Sequence, residues 1–265
     1  MEIEQLKQIS CFLLDLDGTV YLGGELLPGA RDFLDGLDVQ QIPFYFVTNN
    51  SSRSRREYQE KLKHLGLEYG EERVVTSGEA TALYIKNRKP QARLFVVGTP
   101  SLEKEFVDHG FTLNETDPEY VVLGFDTTLT YQKIWKLCDL LREGRPYIAT
   151  HPDLNCPTPS GFMPDVGSMI AMVAASTGRQ PDVIIGKPHA PIVEAIEAKT
   201  GLSATQLAMV GDRLYTDIAL GQAGIIAILV LSGETRREDL AGSPFTPDFV
   251  FENLQELHLA LQSLK

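Results

Sequence analysis

Short apolar runs rich in β-branched and aromatic residues alternate, along the whole chain, with longer segments of helical periodicity. Consecutive parallel strands need a crossover, and a helix is the usual one, so the alternation restricts the chain to an α/β architecture with mainly parallel strands. The runs at 11–16, 43–48, 94–97, 120–123, 147–150, 183–185, 207–210 and 226–231 are read as strands. The segments 30–37, 54–65, 102–109, 131–142, 166–177, 190–200 and 253–264 are read as helices. Within 131–142, Ile134, Trp135, Cys138 and Leu141 are taken as one apolar stripe, which makes the lone tryptophan a packing residue.

Length and composition narrow the partners. A chain of 265 residues, 43% hydrophobic, supports one large domain or two modest ones. A net charge of -12 opposes attraction to nucleic acid or to an anionic membrane, yet leaves room for a small anionic substrate where local cations reverse the field. Cys11, Cys138 and Cys156 are scattered without a CxxC pair, which fits a reducing compartment. The N-terminal stretch lacks a signal-peptide pattern, and no apolar run approaches the roughly 20 residues that span a bilayer. The expectation is a soluble, cytoplasmic protein with no membrane or nucleic-acid partner; a homodimer stays open.

The chemistry concentrates where strands end. In CFLLDLDGTVYLGG, Asp15 and Asp17 follow an apolar run, and residues i and i+2 of an extended chain share a face. Two carboxylates about 4 Å apart repel by about 4 kcal/mol at an effective dielectric near 20, so a cation, a shared proton or hydrogen bonds must offset them. The alternative is a solvated Asp-Gly turn. Thr48, Asn49 and Asn50 close the next strand ahead of a helix, as a phosphate cradle or as plain helix caps. In VIIGKPHAP, Lys187 follows a strand, either as a cation for a phosphoryl group or as an ordinary exposed lysine. In LAMVGDRLYTDIALG, Asp212 offers a hard oxygen ligand suited to Mg²⁺, and Asp217 is a second acid or a helix cap. His151, after the run ending at 150, either contacts a substrate or is satisfied by its own loop.

With these motifs in this order, the chain resembles the haloacid dehalogenase superfamily: DLDGT at Asp15, TNN at Thr48, the GKP lysine at Lys187 and GDRLYTD at Asp212. TNNSSRS and HPDLNCPTPSGFMPDVGS extend the resemblance to the NagD-like, or 4-nitrophenyl-phosphatase-like, subfamily. The resemblance implies a Rossmann-like core at 1–79 and 182–265, with an inserted α/β cap of the C2 type at 80–181, entered through 76–79 and left near Pro181. It implies a Mg²⁺-dependent phosphatase with a small phosphorylated substrate. Asp15 would be the nucleophile and Asp17 the general acid and base. Thr48, with the following amide, would hold phosphate, and Lys187 would neutralise charge. Asp15, Asp212 and the backbone carbonyl of Asp17 would be metal ligands, with Asp217 behind them. Asn49, Asn50 and His151 complete the expected substrate-binding set.

Rival readings are fewer. A dehalogenase needs no acid at Asp17 and no metal. A phosphotransferase or phosphomutase differs only in what attacks the phosphoenzyme, and a non-catalytic regulatory protein would have no need of the intact acidic, threonine and lysine positions. The glycines do not form GxGxxG between a strand and a helix, which argues against a dinucleotide site.

Overall fold

The structure is a computed structural model that describes residues 3–158 and 161–264; Pro159 and Ser160, from the stretch quoted above, lie outside the described residues. The chain forms two compact units. The first comprises Met1–Val47, Gln59–Val75 and Ile196–Lys265; the second comprises Thr48–Tyr58 and Thr76–Ala195.

The first unit is organised by a six-stranded sheet in the spatial order Phe249–Phe251, Ile226–Val230, Leu207–Gly211, Cys11–Leu14, Phe44–Thr48 and Val74–Thr76. The pairs from Phe249–Phe251 through Phe44–Thr48 are parallel, with Cys11 opposite Leu207 and Leu14 opposite Val210. Every residue of Cys11–Leu14 and of Leu207–Gly211 is buried, which is why these strands read as unbroken apolar runs without alternation. Successive strands step outward from Cys11–Leu14 to one side, and those after Leu207 step outward to the other. The order therefore reverses between these two central strands, which is where open parallel sheets bind ligands, beyond the strands' carboxyl ends. Helix Ala30–Val39 covers the sheet with Ala30, Phe33, Leu34 and Leu37, an i, i+3, i+4, i+7 stripe whose Phe33 meets Phe12 edge-on at 5.6 Å.

The second unit carries a five-stranded sheet in the order Val183–Ile184, Tyr147–Ala149, Tyr120–Leu123, Arg93–Val97 and Thr112–Leu113, all neighbours parallel. Its core joins Phe95, Val97, Val121, Leu123 and Tyr147 to the apolar faces of helices Tyr131–Arg142 and Val166–Thr177. An antiparallel hairpin pairs Asn155–Thr158 with Gly161–Pro164.

The α/β class and the parallel sheets agree with the sequence reading. Trp135 does not: it is 61% exposed, while Leu137, Cys138, Leu140 and Leu141 are buried and Ile134 packs against them. At 100° per residue the stripe that faces the core is Ile134, Leu137, Cys138 and Leu141, and the residue after Ile134 is rotated out of it. Helix Ser77–Arg88 escaped the sequence reading because its buried residues are Ser77, Gly78, Glu79, Ala80, Thr81, Ala82 and Ile85, in which Ile85 is the one large apolar side chain and no apolar stripe registers. Val183–Ile184 pairs with Tyr147–Ala149, so the lysine-bearing turn groups with the second unit, as do residues 48–58. Thr76 caps the helix that follows it, accepting from the Glu79 N–H at 3.0 Å. Among the described residues, no helix is long and apolar enough to cross a membrane.

Candidate active site

In the first unit, Asp15 and Asp212 follow directly on the two central strands, and the Asp15 N–H donates to Val210 O at 2.9 Å, one step beyond the ladder. Both carboxylates therefore emerge at the point where the strand order reverses. A tight turn returns the chain to the same place: Asp217 N–H donates to Arg213 O at 3.1 Å, and the Asp217 carboxylate accepts from the Arg213 N–H at 3.1 Å. The result is a group of three buried carboxylates, Asp15, Asp212 and Asp217, whose ligand atoms lie within 4.8 Å of one another.

Such a group is electrostatically strained without a cation. Burial pushes the Asp212 carboxyl well above the usual carboxylate range, the Asp15 and Asp217 charges push it further, and Arg213 and the Glu234 N–H oppose the shift. The Glu234 N–H donates to Asp212 Oδ2 at 2.6 Å, but Asp212 Oδ1 is buried with no hydrogen-bond partner. A buried carboxylate oxygen without a donor costs about 1–3 kcal/mol or more. Three hard oxygen donors and one orphaned oxygen fit a divalent cation of the Mg²⁺ type. Glycine is required around it. Gly18 has φ +91°, and a Cβ there or at Gly233 would land on the Asp212 carboxylate.

Asp17 points elsewhere. Its carboxylate is partly exposed, accepts from the Tyr21 hydroxyl at 3.3 Å and lies 3.7 Å from Lys61 Nζ, which sits 3.7 Å above the Tyr21 ring. Its side chain thus stands outside the three-carboxylate group, leaving it accessible for proton transfer. Sequence reasoning missed Lys61, because a lysine in the middle of a polar helix carries no motif. Asp217, read as a second acid or a helix cap and through the resemblance as outer support, has its carboxylate brought among the other two by the turn.

The second unit assembles the remaining residues. The Thr48 hydroxyl accepts from the Asn50 N–H at 3.2 Å, and Asn50 Oδ1 accepts from the Ser52 N–H at 2.9 Å and the Ser52 hydroxyl at 2.7 Å, closing a turn ahead of helix Arg55–His64. Ser51 stitches this turn to the sheet, with Thr150 Oγ1 at 3.0 Å and the Phe125 N–H donating to it at 2.9 Å. Lys187, at 1% exposure, follows Gly186 at the end of the edge strand Val183–Ile184.

The side chains of Asn49 and His151, both expected at a substrate, make internal hydrogen bonds. Asn49 bonds to the backbone of Lys187 and to Asp153. His151 is fully buried: Nε2 lies 2.9 Å from Asp165 Oδ1, and Nδ1 lies 3.0 Å from Thr150 Oγ1 and 3.3 Å from Ser77 Oγ. The imidazole braces the loop from within. Asp165 and Ser77 are parts of this network that no sequence pattern marked.

Comparison with known proteins gives the family. A haloacid dehalogenase-like hydrolase model matches residues 12–112, and a second HAD-hydrolase-like model matches residues 184–257. An acid sugar phosphatase from Staphylococcus aureus is 37% identical over 95% of this chain and 97% of its own length. The chain belongs to the haloacid dehalogenase-like hydrolase family. A 4-nitrophenylphosphatase structure from Thermotoga maritima superimposes with a TM-score of 0.95 at 49% identity, covering 99% of this chain and 100% of that one. NagD from Escherichia coli K-12 gives a TM-score of 0.87 at 30% identity, over 94% of this chain and 98% of its own. The likeness places this haloacid dehalogenase-like hydrolase on the NagD and 4-nitrophenylphosphatase branch.

Proposed function

We propose that the chain is a Mg²⁺-dependent phosphatase that hydrolyses small phosphate monoesters through an aspartyl-phosphate on Asp15. The observation that carries this reading is the buried group of Asp15, Asp212 and Asp217 at the reversal of strand order, with Asp212 Oδ1 lacking a donor. Relatives named acid sugar phosphatase and 4-nitrophenylphosphatase support sugar phosphates and aryl phosphates as the substrate class.

The residues divide the work. Asp15 attacks phosphorus, the ester P–O bond breaks, and Asp17 gives its proton to the departing oxygen. Asp17 then takes a proton from the water that attacks the aspartyl-phosphate; inorganic phosphate leaves and Asp15 is restored. Thr48, the amide that follows it and Lys187 hold the phosphoryl oxygens. A divalent cation held by Asp15, Asp212 and the Asp17 carbonyl, with Asp217 beside them, would supply the charge neutralisation that lets a carboxylate approach a phosphate dianion. The partner is a small anion, not a nucleic acid or a membrane, in keeping with the net charge of -12. A reducing cytoplasm suits the three free cysteines; burial pushes the Cys11 thiol up to about 12, which makes it inert.

The test replaces Asp15 by Asn and follows phosphate release from 4-nitrophenyl phosphate with Mg²⁺. Turnover is expected to fall by at least about a thousandfold, with the thermal melt retained. Near-normal release from Asp15→Asn sinks the nucleophile assignment.

A further inference from the structure

The Asn49 side chain grips both backbone polar groups of Lys187. Asn49 Oδ1 accepts from the Lys187 N–H at 2.8 Å, and Asn49 Nδ2 donates to the Lys187 carbonyl at 2.9 Å. The same nitrogen donates to Asp153 Oδ1 at 2.9 Å. A primary amide has two N–H groups, and both are engaged here. One amide that takes both the N–H and the C=O of one residue fixes where that residue sits and in which direction its side chain leaves the backbone.

The clamp is itself anchored. The Asn49 carbonyl accepts from the Ser77 hydroxyl, whose oxygen lies 3.3 Å from His151 Nδ1, and His151 is held by Asp165. Asn49 is buried, so these bonds are made away from competing water. Gly186 permits the close approach: a Cβ there would strike Asn49 Oδ1, His151 Cβ and Thr150 O. The turn after Thr48, the segment from Thr150 to Asp153 and the Gly186–Lys187 turn are thereby joined through one amide.

We propose that Asn49 is a positioning residue that works through Lys187, aiming the ammonium by gripping its backbone, and that it is not a phosphate ligand. The proposal rests on the reading of Lys187 as the cation that neutralises the phosphoryl group. An ångström of misplacement in such a group costs about a hundredfold in rate.

A double-mutant cycle on the full chain with Mg²⁺ and 4-nitrophenyl phosphate tests it. It compares wild type, Asn49→Ala, Lys187→Met and the double variant, followed for hours at high enzyme concentration so that large losses stay readable. Asn49→Ala is expected to lower kcat/KM about ten- to a hundredfold in wild type and less than about threefold in the Lys187→Met background. Inhibition by inorganic phosphate should weaken in the same pattern. Thermal melts establish that each protein is folded. Should Asn49→Ala fail to fold, Asn49→Asp serves: it keeps the acceptor for the Lys187 N–H, loses both donations and sets a carboxylate against Asp153. Pairing it with Asp153→Asn returns a donor to that gap, and recovery of at least about tenfold is expected where Lys187 is present and none where it is Met. Losses that multiply independently of Lys187, or an Asn49 variant with wild-type kinetics, overturn the proposal. A wild type that hydrolyses no phosphate ester would instead refute the phosphatase reading beneath it, and a Lys187→Met that works normally would refute the reading of Lys187 as the neutralising cation.

Discussion

Glu105 offers a quantitative test of how the second unit holds charge. It lies on helix Pro100–Asp108, 6% exposed, with Arg55 Nε 3.8 Å from its Oε1; Arg55 Nη1 makes the shorter contact, 2.9 Å, to Glu79. One guanidinium thus faces two buried carboxylates, and Glu105 Oε2 has no hydrogen-bond partner. Burial first, and then the Glu79 charge, pushes the Glu105 carboxyl from 4.5 to about 8. Between those two values the unfolded chain has lost the proton and the folded chain keeps it, so stability falls as pH rises, by about 1.4 kcal/mol per unit, and levels off above the folded value. The loss across the window is about 3–5 kcal/mol, present in full only above pH 8 and absent below pH 4.5. Glu105→Gln keeps the shape and removes the titration. Urea unfolding at pH 5, 6, 7 and 8 measures the effect, and Trp135, the lone tryptophan, reports on this unit because its helix packs in the core of that unit. The variant is expected to match wild type near pH 5 and to exceed it by about 3 kcal/mol at pH 7, every other group being common to both proteins. Parallel stability curves over this range would refute the reasoning.

Asp212→Asn removes one of three crowded carboxylates, so the metal-free protein should melt higher than wild type. The stabilisation expected of wild type with Mg²⁺, about 2.7 kcal/mol at a hundred times Kd, should largely vanish; an undiminished Mg²⁺ shift in the melt would remove Asp212 from the proposed metal site. His151→Leu is expected to cost about 2–4 kcal/mol of stability, because it leaves Asp165 buried without its imidazole, while KM for 4-nitrophenyl phosphate changes by less than about twofold. A large rise in KM at unchanged stability would return His151 to the substrate.

The parts of the site legible in the sequence are those whose chemistry follows chain order. Asp15 and Asp212 each follow an unbroken apolar run, so a carboxylate at a strand end could be read from the run itself, and the order of the motifs supplied the rest. What could not be read depends on which way an amide or a ring turns. Asn49 next to Thr48 looks like a second cradle residue until its amide is seen gripping Lys187, 138 positions away. His151 looks exposed after a strand until Asp165, Ser77 and Thr150 close around it. The helix Ser77–Arg88 was hidden for a related reason: a face built mainly from Ser, Gly, Ala and Thr packs closely without spelling an apolar period.

Two buried polar groups handle charge in opposite ways, and the contrast bears on function. In the second unit, the polar groups around Asn49, His151 and Asp165 answer one another, a satisfied network that makes a unique and rigid loop arrangement. In the first unit, Asp15, Asp212 and Asp217 repel, and Asp212 keeps an oxygen with no donor. A satisfied network gains nothing from a ligand, whereas a strained one is relieved by a cation, so metal binding and stability of the first unit should be strongly linked. Glycine at 18 and 233 keeps side chains away from the Asp212 carboxylate. That strain lies where an added positive charge would lower the energy of the fold and, in the same step, prepare Asp15 to meet an anion.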